Sequence, residues 1–423
     1  SIRIAAAFII QEICRNPQAL QMFVACDGLS ILVHFLNPIL HPTEINRIGV
    51  KAIQSFFDLA SEIRVHKLQF FQVFVDYDLL DVLADTLKRM VADKNVSYVE
   101  RIIEIVCLFS QGTAPIKQCV CNSRVLEEIY EVFVAFSDNF SIMRLIMRTV
   151  RYLSVCEHSI LAALEIFVNP MISCAVAGIR EKEDQLEIHN HVLHCLFHLC
   201  FLNTRRQDMA VKSGLIEFLR HVVSFNTSLK EFAVPMLCDL SRSRAGTRQI
   251  LWKDGGLELY LNLLPDKSWY SDGLQAIADW CAAKDDTLPM LEGVLGNPEN
   301  IDKILGVLRS AAKSTISSQL FINVLDSVLK LITASIKICR AILNHSGGQL
   351  VAIVIPFLSH HDLYVREKIL RVLLGFVTKH ENPQSFLHEE NLLQTLQNLA
   401  VKDSAIVVRT LAQILAEKAQ NNT

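Results

Sequence analysis

"GTRQILWKDGGLELYLNLL", Gly246 to Leu264, is the stretch that decides the fold, because two adjacent glycines interrupt a segment that otherwise favours helix. One glycine inside a helix costs roughly 1 kcal/mol relative to alanine, so a glycine pair is unfavourable in a helix interior. Gly255 and Gly256 are therefore predicted to end one helix, turn the chain and begin the next. We expect Gly256 to be the residue in the left-handed conformation.

The same order of short apolar helix, turn and second apolar helix recurs along the chain. "RRQDMAVKSGLIEFLRHV", "NPQALQMFVACDGLSILVHFL" and "ICRAILNHSGGQLVAIVIPFL" are further copies. The predicted turn positions are Gly28, Asp78, Val125, Pro170, Gly214, Gly256, Asn300, Gly348 and Asn391. Their mean separation of about 45 residues lies in the range of armadillo and HEAT repeats.

A third, longer helix follows in each repeat, as in "YSDGLQAIADWCAA" and "REKILRVLLGFVTKH". A short helix followed by two longer ones is typical of armadillo rather than two-helix HEAT repeats. The sequence therefore predicts an all-α, right-handed superhelical armadillo solenoid of about nine repeats. We expect a single domain over residues 1–423, with less typical repeats in 1–180.

Composition excludes several classes of function. Hydrophobic residues make up 51% of the chain, which suffices for a large core, and the net charge of −3 gives no general attraction to nucleic acid. We expect no apolar run to approach the ~20 residues that a membrane span needs, because the longest candidate, "QLVAIVIPFL", is about half that length. The chain has twelve cysteines, most of them within apolar helical runs, which indicates buried thiols in a reducing, cytoplasmic setting. The start at Ser1, without a secretory leader, suggests a fragment of a longer polypeptide.

Residues 186–401 resemble a known family. The runs "HCLFHLCFLNTRRQDMAVKSGLIEFL" and "FLHEENLLQTLQNL" are similar to the C-terminal armadillo region of plant MAP kinase kinase kinase epsilon and the fungal septation-initiation kinases. The chain lacks the glycine-rich phosphate loop, "HRD" and "DFG" of a kinase domain. The resemblance therefore implies a regulatory and targeting module of a Ser/Thr kinase that controls cytokinesis.

The resemblance also implies partners and a location. The partners are a small GTPase, a spindle-pole or division-site scaffold, and the kinase domain of the same polypeptide; a homo-oligomer is compatible with the sequence. The residues alone leave open a general armadillo adaptor, such as a cargo receptor or cytoskeletal regulator, and an unrecognised enzyme. No nucleophile elbow, phosphate loop or zincin spacing occurs, so we expect neither catalysis nor a cofactor.

The third helices supply a candidate groove. The residue before each closing apolar position is predicted to face the concave side, where armadillo proteins often use asparagine. Here that asparagine is absent and four of nine such positions are acidic, which favours a groove for a basic segment, with Trp280 nearby. The groove candidates are Asp58, His198, Asp239, Asp279 and Trp280. The alternative is that these are solvated polar faces or helix caps.

A basic edge is the second candidate. Arginines fall in the loops after two consecutive third helices, and guanidinium groups recognise carboxylate or phosphate through paired hydrogen bonds. We therefore expect this edge to hold an acidic or phosphorylated segment, with solvated loop charge as the alternative. Its members are Arg205, Arg206, Arg242, Arg244 and Arg248.

"HNHVLHCLFHLC" is the strongest metal motif. His191, His194, Cys195 and His198 lie at helical spacings on one face. A tetrahedral zinc site needs convergent ligands, which one straight helix rarely supplies. The sequence therefore favours a groove-facing histidine row beside a buried cysteine, with no metal.

Overall fold

The computed structural model describes residues 2–62, 67–156, 158–181, 186–225, 228–313, 318–379 and 392–420. Within these ranges the chain forms helices joined by short turns and contains no strand. The all-α prediction is confirmed. The chain divides into two compact units, Ser1–Gly214 and Leu215–Thr423.

The first unit contains fourteen of the helices described and one 3-10 helix, Leu164–Phe167. Its helices are α1 (Ile2–Ile13), α2 (Pro17–Ala25), α3 (Gly28–Leu36), α4 (Thr43–Glu62), α5 (Lys67–Asp76), α6 (Leu79–Ala92), α7 (Val96–Ser110), α8 (Ala114–Asn122), α9 (Val125–Ala135), α10 (Phe140–Ser154), α11 (His158–Ala163), α12 (Val168–Glu181), α13 (Leu186–Cys200) and α14 (Thr204–Lys212).

The second unit repeats this helical pattern and contains two 3-10 helices, Leu240–Arg242 and Ile355–Ser359. Its α-helices in the described ranges are α15 (Leu215–Phe225), α16 (Lys230–Asp239), α17 (Ala245–Lys253), α18 (Gly256–Leu263), α19 (Tyr270–Ala282), α20 (Leu288–Leu295), α21 (Pro298–Lys313), α22 (Ser318–Ala334), α23 (Ile336–Val354), α24 (Leu363–Val377), α25 (Leu392–Lys402) and α26 (Ile406–Gln420).

Left-handed residues separate short helices from the helices that follow them. Asp27, Asp78, Gly214 and Gly255 have φ of 60°, 57°, 101° and 72°, and each directly precedes a helix. The prediction that Gly256 is left-handed is wrong, because Gly256 is already the first residue of α18. A Cβ on Gly256 would clash with a Leu251 methyl carbon, so close packing explains this second glycine.

Only some of the other predicted turn positions agree with the structure. Val125 begins α9, and α23 changes direction by 87° between Ile336–His345 and Gln349–Ser359, around Gly348. Pro170 and Asn300 lie inside α12 and α21, so turns at those two residues are contradicted. Asn391 lies outside the described residues.

Asparagine and serine side chains cap the N-termini of several helices. Asn16 Oδ1 accepts hydrogen bonds from two backbone N–H groups at the start of α2, and Asn139 and Asn203 cap α10 and α14. Ser335 does the same for α23. Such caps satisfy the N–H groups that a helix leaves without partners in its first turn.

A row of long helices forms the centre of the first unit. In this row α4 packs against α7, α7 against α10, and α10 against α13. Phe57 contacts Phe74 and Phe109 at ring-centroid distances of 5.5 and 5.7 Å, and all three side chains are buried. Large rings at one helix junction bury much apolar surface, which stabilises the stacking of α4 on α7.

A corresponding row lies within the second unit. There α16 packs against α19, α19 against α22, α22 against α24, and α24 against α26. Tyr260 and Trp280 are fully buried and meet edge to face, with ring centroids 6.0 Å apart. Tyr260 Oη donates to the Leu237 carbonyl, and Trp280 Nε1 donates to Thr287 Oγ1 at 2.9 Å. The polar ends of both rings are thereby satisfied inside the core.

One apolar stretch is longer than predicted from the sequence. Ile160–Ile179 has the length and hydropathy of a membrane span, and half of its most apolar window is buried inside the first unit. The prediction that no apolar run approaches about 20 residues is therefore wrong. Phe167 and Met171 in this stretch are fully buried, so the apolar run supplies core contacts.

Candidate protein-binding surfaces

Asp58 and His198 are the predicted groove residues of the first unit. Asp58 lies near the end of α4 and is exposed, whereas His198 lies on α13 and is half-buried. Burial lowers the pKa of His198 below its usual value, and the charge of Arg151 lowers it further. At neutral pH His198 is therefore an uncharged hydrogen-bonding group.

The predicted acids of the second unit are not open carboxylates. Asp239, at the end of α16, is only 6% exposed. Asp279 on α19 accepts a hydrogen bond from Arg242 Nε at 2.6 Å, and its other oxygen lies 2.5 Å from Lys330 Nζ on α22. Two cations of the same unit therefore neutralise Asp279.

Trp280 is not at the groove surface. Its side chain is fully buried against Tyr260, and its N–H is bonded to Thr287. The prediction that Trp280 contacts a partner is wrong, because successive helical residues point about 100° apart. Asp279 consequently faces Arg242 and Lys330, which cover its carboxylate, while Trp280 faces the core.

A cavity of about 690 Å³ lies along α19 and α22 in the second unit. The charged residues that line it are Asp326, Lys284 and Lys330. Asp326 Oδ1 is 2.5 Å from Lys368 Nζ on α24, so the one carboxylate of this lining is already paired. The expected acidic surface is replaced here by a groove of mixed charge.

Two of the five arginines of the predicted basic edge hold the fold together. Arg206 is 8% exposed, and its Nε lies 3.3 Å from Glu165 Oε2. Arg248 is 9% exposed; its Nε donates to Asp285 at 2.6 Å, and its guanidinium also donates to the Ser243 carbonyl. Buried guanidiniums with internal acceptors are not available to a partner, so these two assignments are wrong.

The other three arginines reach the surface. Arg205 belongs to the first unit; its side chain is 69% exposed and its Nη2 lies 2.7 Å from Glu165 Oε1. In the second unit, Arg242 is 49% exposed and bonded to Asp279. Arg244 is exposed, and its side chain forms no hydrogen bond or ion pair with any residue that the structure describes. A binding role for these three arginines stays a prediction.

The histidine motif on α13 lacks the features of a zinc site. Cys195 is fully buried, and burial raises the pKa of its thiol to about 12, so it is not a thiolate ligand at pH 7. Burial, followed by the charge of Arg151, lowers the pKa of His194 to about 4. Over the described ranges, no group of three or more His, Cys, Asp or Glu residues is placed to hold a metal ion.

An arginine row on α10 was missed in the sequence. Arg144, Arg148 and Arg151 are four and three positions apart and therefore share one helix face. Arg144 Nη1 lies 3.4 Å from Glu187 Oε2 on α13, and Arg151 Nη1 lies 3.2 Å from His191 Nδ1. The spacing of the three arginines in "RLIMRTVR", residues 144–151, is the feature of the sequence that could have revealed this row.

Comparison with solved structures defines the fold class as helical repeat. The chain superposes on an engineered protein with a TM-score of 0.61 and 15% identity, covering 99% of this chain and 95% of that one. A chain from a study of the interaction between cadherin and beta-catenin gives a TM-score of 0.59 and 14% identity, with 99% and 91% covered. No family model matches the sequence.

The sequence relatives are kinases and cytokinesis proteins. Cytokinesis protein sepH of Aspergillus niger is 28% identical over 413 residues, which is 96% of this chain and 30% of that protein. MAP3K epsilon protein kinase 1 of Arabidopsis thaliana is 28% identical over 75% of the chain and 22% of its own length. Cell division control protein 7 of Schizosaccharomyces pombe is 26% identical over 72% of the chain and 28% of its length.

These relatives are much longer than the aligned region. The chain spans 22–30% of their lengths, and its sequence lacks the glycine-rich phosphate loop, "HRD" and "DFG" of a kinase domain. The homologues of this chain are therefore cytokinesis protein sepH and the MAP3K epsilon kinases, and the chain corresponds to a non-kinase part of such proteins.

Proposed function

We propose that this chain is the non-catalytic regulatory and targeting module of a Ser/Thr protein kinase that controls cytokinesis and septation. The observation that carries the proposal is the alignment of nearly the whole chain with under a third of sepH. A region matched from end to end, but lacking kinase motifs, acts through binding rather than phosphoryl transfer.

The module is proposed to be an armadillo solenoid of about nine repeats. Support comes from the recurring order of a short helix, a second helix and a long third helix, as in α5, α6 and α7 and again in α17, α18 and α19. Stacked third helices provide an extended surface for partner proteins. The relatives' names suggest partners in the division machinery, and we propose a small GTPase, a spindle-pole or division-site scaffold and the kinase domain of the same polypeptide.

Removing this region from the full-length polypeptide tests the proposal. The truncated kinase is expected to retain most of its phosphorylation rate in vitro while its fluorescent fusion disperses from the spindle pole or division site. Capture of the scaffold and the GTPase by the tagged chain should be lost in parallel. Normal localisation of the truncated kinase would instead favour a general adaptor role, and the absence of a kinase domain in the parent open reading frame would remove the kinase assignment.

A further inference from the structure

We propose that the adjoining faces of α10 and α13 in the first unit bind a phosphorylated segment of a partner protein. This inference rests on the proposed role of the chain as a protein-interaction module. The members of this arginine–histidine face are Arg144, Arg148, Arg151, His191, His194 and His198.

Helix geometry brings the arginines together. Arg144 and Arg151 are seven positions apart, which is about two turns or roughly 10 Å along α10, and Arg148 lies between them. The contacts of Arg144 with Glu187 and of Arg151 with His191 join this face to α13. The Arg144 side chain is 40% exposed, so a ligand can reach the row from solvent.

Two arginine donors on this face lack an acceptor within the protein. The Nε atoms of Arg144 and Arg148 are buried without a hydrogen-bond partner. Nε2 of His191 lies 3.7 Å from Glu187 Oε1, which is too far for a hydrogen bond. The Arg148 side chain forms no hydrogen bond or ion pair with any residue in the described ranges. Buried donors without acceptors are unfavourable, so a ligand that supplies oxygen atoms satisfies them at a gain.

Nearby acids leave the face with an excess of positive charge. On α13, Glu187 is the carboxylate in contact with the arginine row, at 3.4 Å from Arg144. On α7, Glu104 accepts a hydrogen bond from Gln54 of α4, and Arg101 donates to the same Gln54. After burial, the charge of Arg151 is a cause of the lowered pKa of all three histidines, as expected beside a cationic row.

A phosphate group fits this arrangement better than a carboxylate. A phosphoserine carries nearly two negative charges and three acceptor oxygens, so one group can meet more than one guanidinium together with an imidazole N–H. Arginine forks match phosphate oxygens in paired hydrogen bonds. The chain has a net charge of −3, which does not favour the broad attraction that nucleic acid or an anionic membrane requires. A local phosphorylated segment is therefore the favoured ligand.

Binding of a short synthetic peptide of alternating phosphoserine and glycine tests the proposal. The full chain is titrated against the fluorescein-labelled peptide, against its serine form and against its glutamate form. We expect saturable binding of the phosphopeptide, about tenfold weaker binding of the glutamate form, no measurable binding of the serine form, and weaker binding at raised salt. Equal affinity for the three peptides would overturn the proposal.

A double variant, Arg144→Gln with Arg148→Gln, locates the site. It is expected to lower phosphopeptide affinity at least about tenfold. The matched control is Arg15→Gln with Lys88→Gln, because these side chains of the same unit are 53% and 74% exposed and lie outside the face. The control should bind like the unmodified chain, with the same net charge as the double variant. Equal loss of affinity in both variants would show attraction to overall charge and contradict the site.

Histidine NMR on the unmodified chain provides a readout that does not depend on any variant folding. A bound phosphate favours protonated imidazole, so the pKa of His194 and His198 should rise on saturation with the phosphopeptide. Unchanged histidine titrations at saturation would place the peptide elsewhere. Arg148-dependent binding to phosphatidylserine vesicles or single-stranded RNA, without phosphopeptide binding, would also overturn the proposal. These results are separable from the localisation experiment, which reports on the whole module.

Discussion

At the scale of single residues, Gly255 makes the conformation of one turn testable. Its φ of 72° lies in the left-handed region, where a side chain is strained. We expect Gly255→Ala to lower the free energy of unfolding by about 1 kcal/mol, measured by urea denaturation. Gly293→Ala is the control, because a Cβ there meets nothing within 4 Å in helix α20. The control should be neutral or stabilising, and equal losses would contradict the assignment.

The buried pair of Arg248 and Asp285 gives a second prediction. Arg248→Ala leaves a carboxylate without its charged partner, so we expect a loss of about 3 kcal/mol of unfolding free energy. The exposed Arg244 is the matched control, and Arg244→Ala should change stability by less than about 0.5 kcal/mol. Thermal and urea unfolding check both values. Similar effects of the two substitutions would show that Arg248 is not structural.

The stability contributed by the pair of Arg248 and Asp285 should depend on pH. Burial acts to raise the pKa of Asp285, but hydrogen bonds from Thr287 and Arg248 outweigh it, so the pKa lies below its ordinary value. The stability due to this carboxylate is therefore present above the unfolded pKa of about 4 and is lost as pH falls through the lower folded value. The melting-temperature difference between the unmodified chain and Asp285→Asn should be constant from about pH 5 to 8 and shrink below about pH 4. A difference that grows in acid would contradict this.

The turn at Gly255 and Gly256 could be predicted from the sequence, but not which glycine is left-handed. Either residue lacks a Cβ, and the choice depends on Leu251, whose side chain occupies the space beside Gly256. The burial of Arg205 and Arg206 could not be predicted from the sequence either. They are adjacent in sequence, yet the first is exposed and the second is buried beside Glu165, because helix rotation separates them by about 100°.

At the scale of elements, the packing of α19 in the core is expected to depend on Trp280. Trp280→Phe keeps the ring but loses the hydrogen bond to Thr287, at an expected cost of about 1 to 2 kcal/mol. Trp280→Ala also leaves a cavity and should cost about 3 to 5 kcal/mol. Gln275→Ala, at an exposed position of the same helix, should be nearly neutral. Circular dichroism during thermal unfolding measures the three effects; a neutral Trp280→Ala would contradict the core assignment.

Sequence periodicity predicted the helices better than their faces. The three-helix order of "TRQILWKDGGLELYLNLL" and the helix that follows it is present in α17, α18 and α19. The groove assignment failed at Trp280, because neighbouring positions of a helix point about 100° apart and the side chain that follows Asp279 faces the core. The arginine row of α10 was recognisable by its spacing, whereas its contacts with Glu187 and His191 depend on how α13 packs against α10.

At the scale of the whole molecule, apolar packing rather than metal is expected to hold each unit together. The described ranges contain no cluster of three metal-ligating side chains, and Cys195 is a buried thiol. Dialysis against EDTA should therefore leave the melting temperature unchanged. One equivalent of zinc in protein purified without added metal, together with a lower melting temperature after chelation, would contradict this account.

The central claim is that this region directs a kinase to its place of action, and localisation of the chain alone tests it most directly. The measurement is the ratio of division-site to cytoplasmic fluorescence for residues 1–423 fused to a fluorescent protein, compared with the Trp280→Ala variant. We predict enrichment of the unmodified chain during cytokinesis and a loss of enrichment when the core is damaged. A uniform cytoplasmic signal from a folded, unmodified chain would contradict a targeting role.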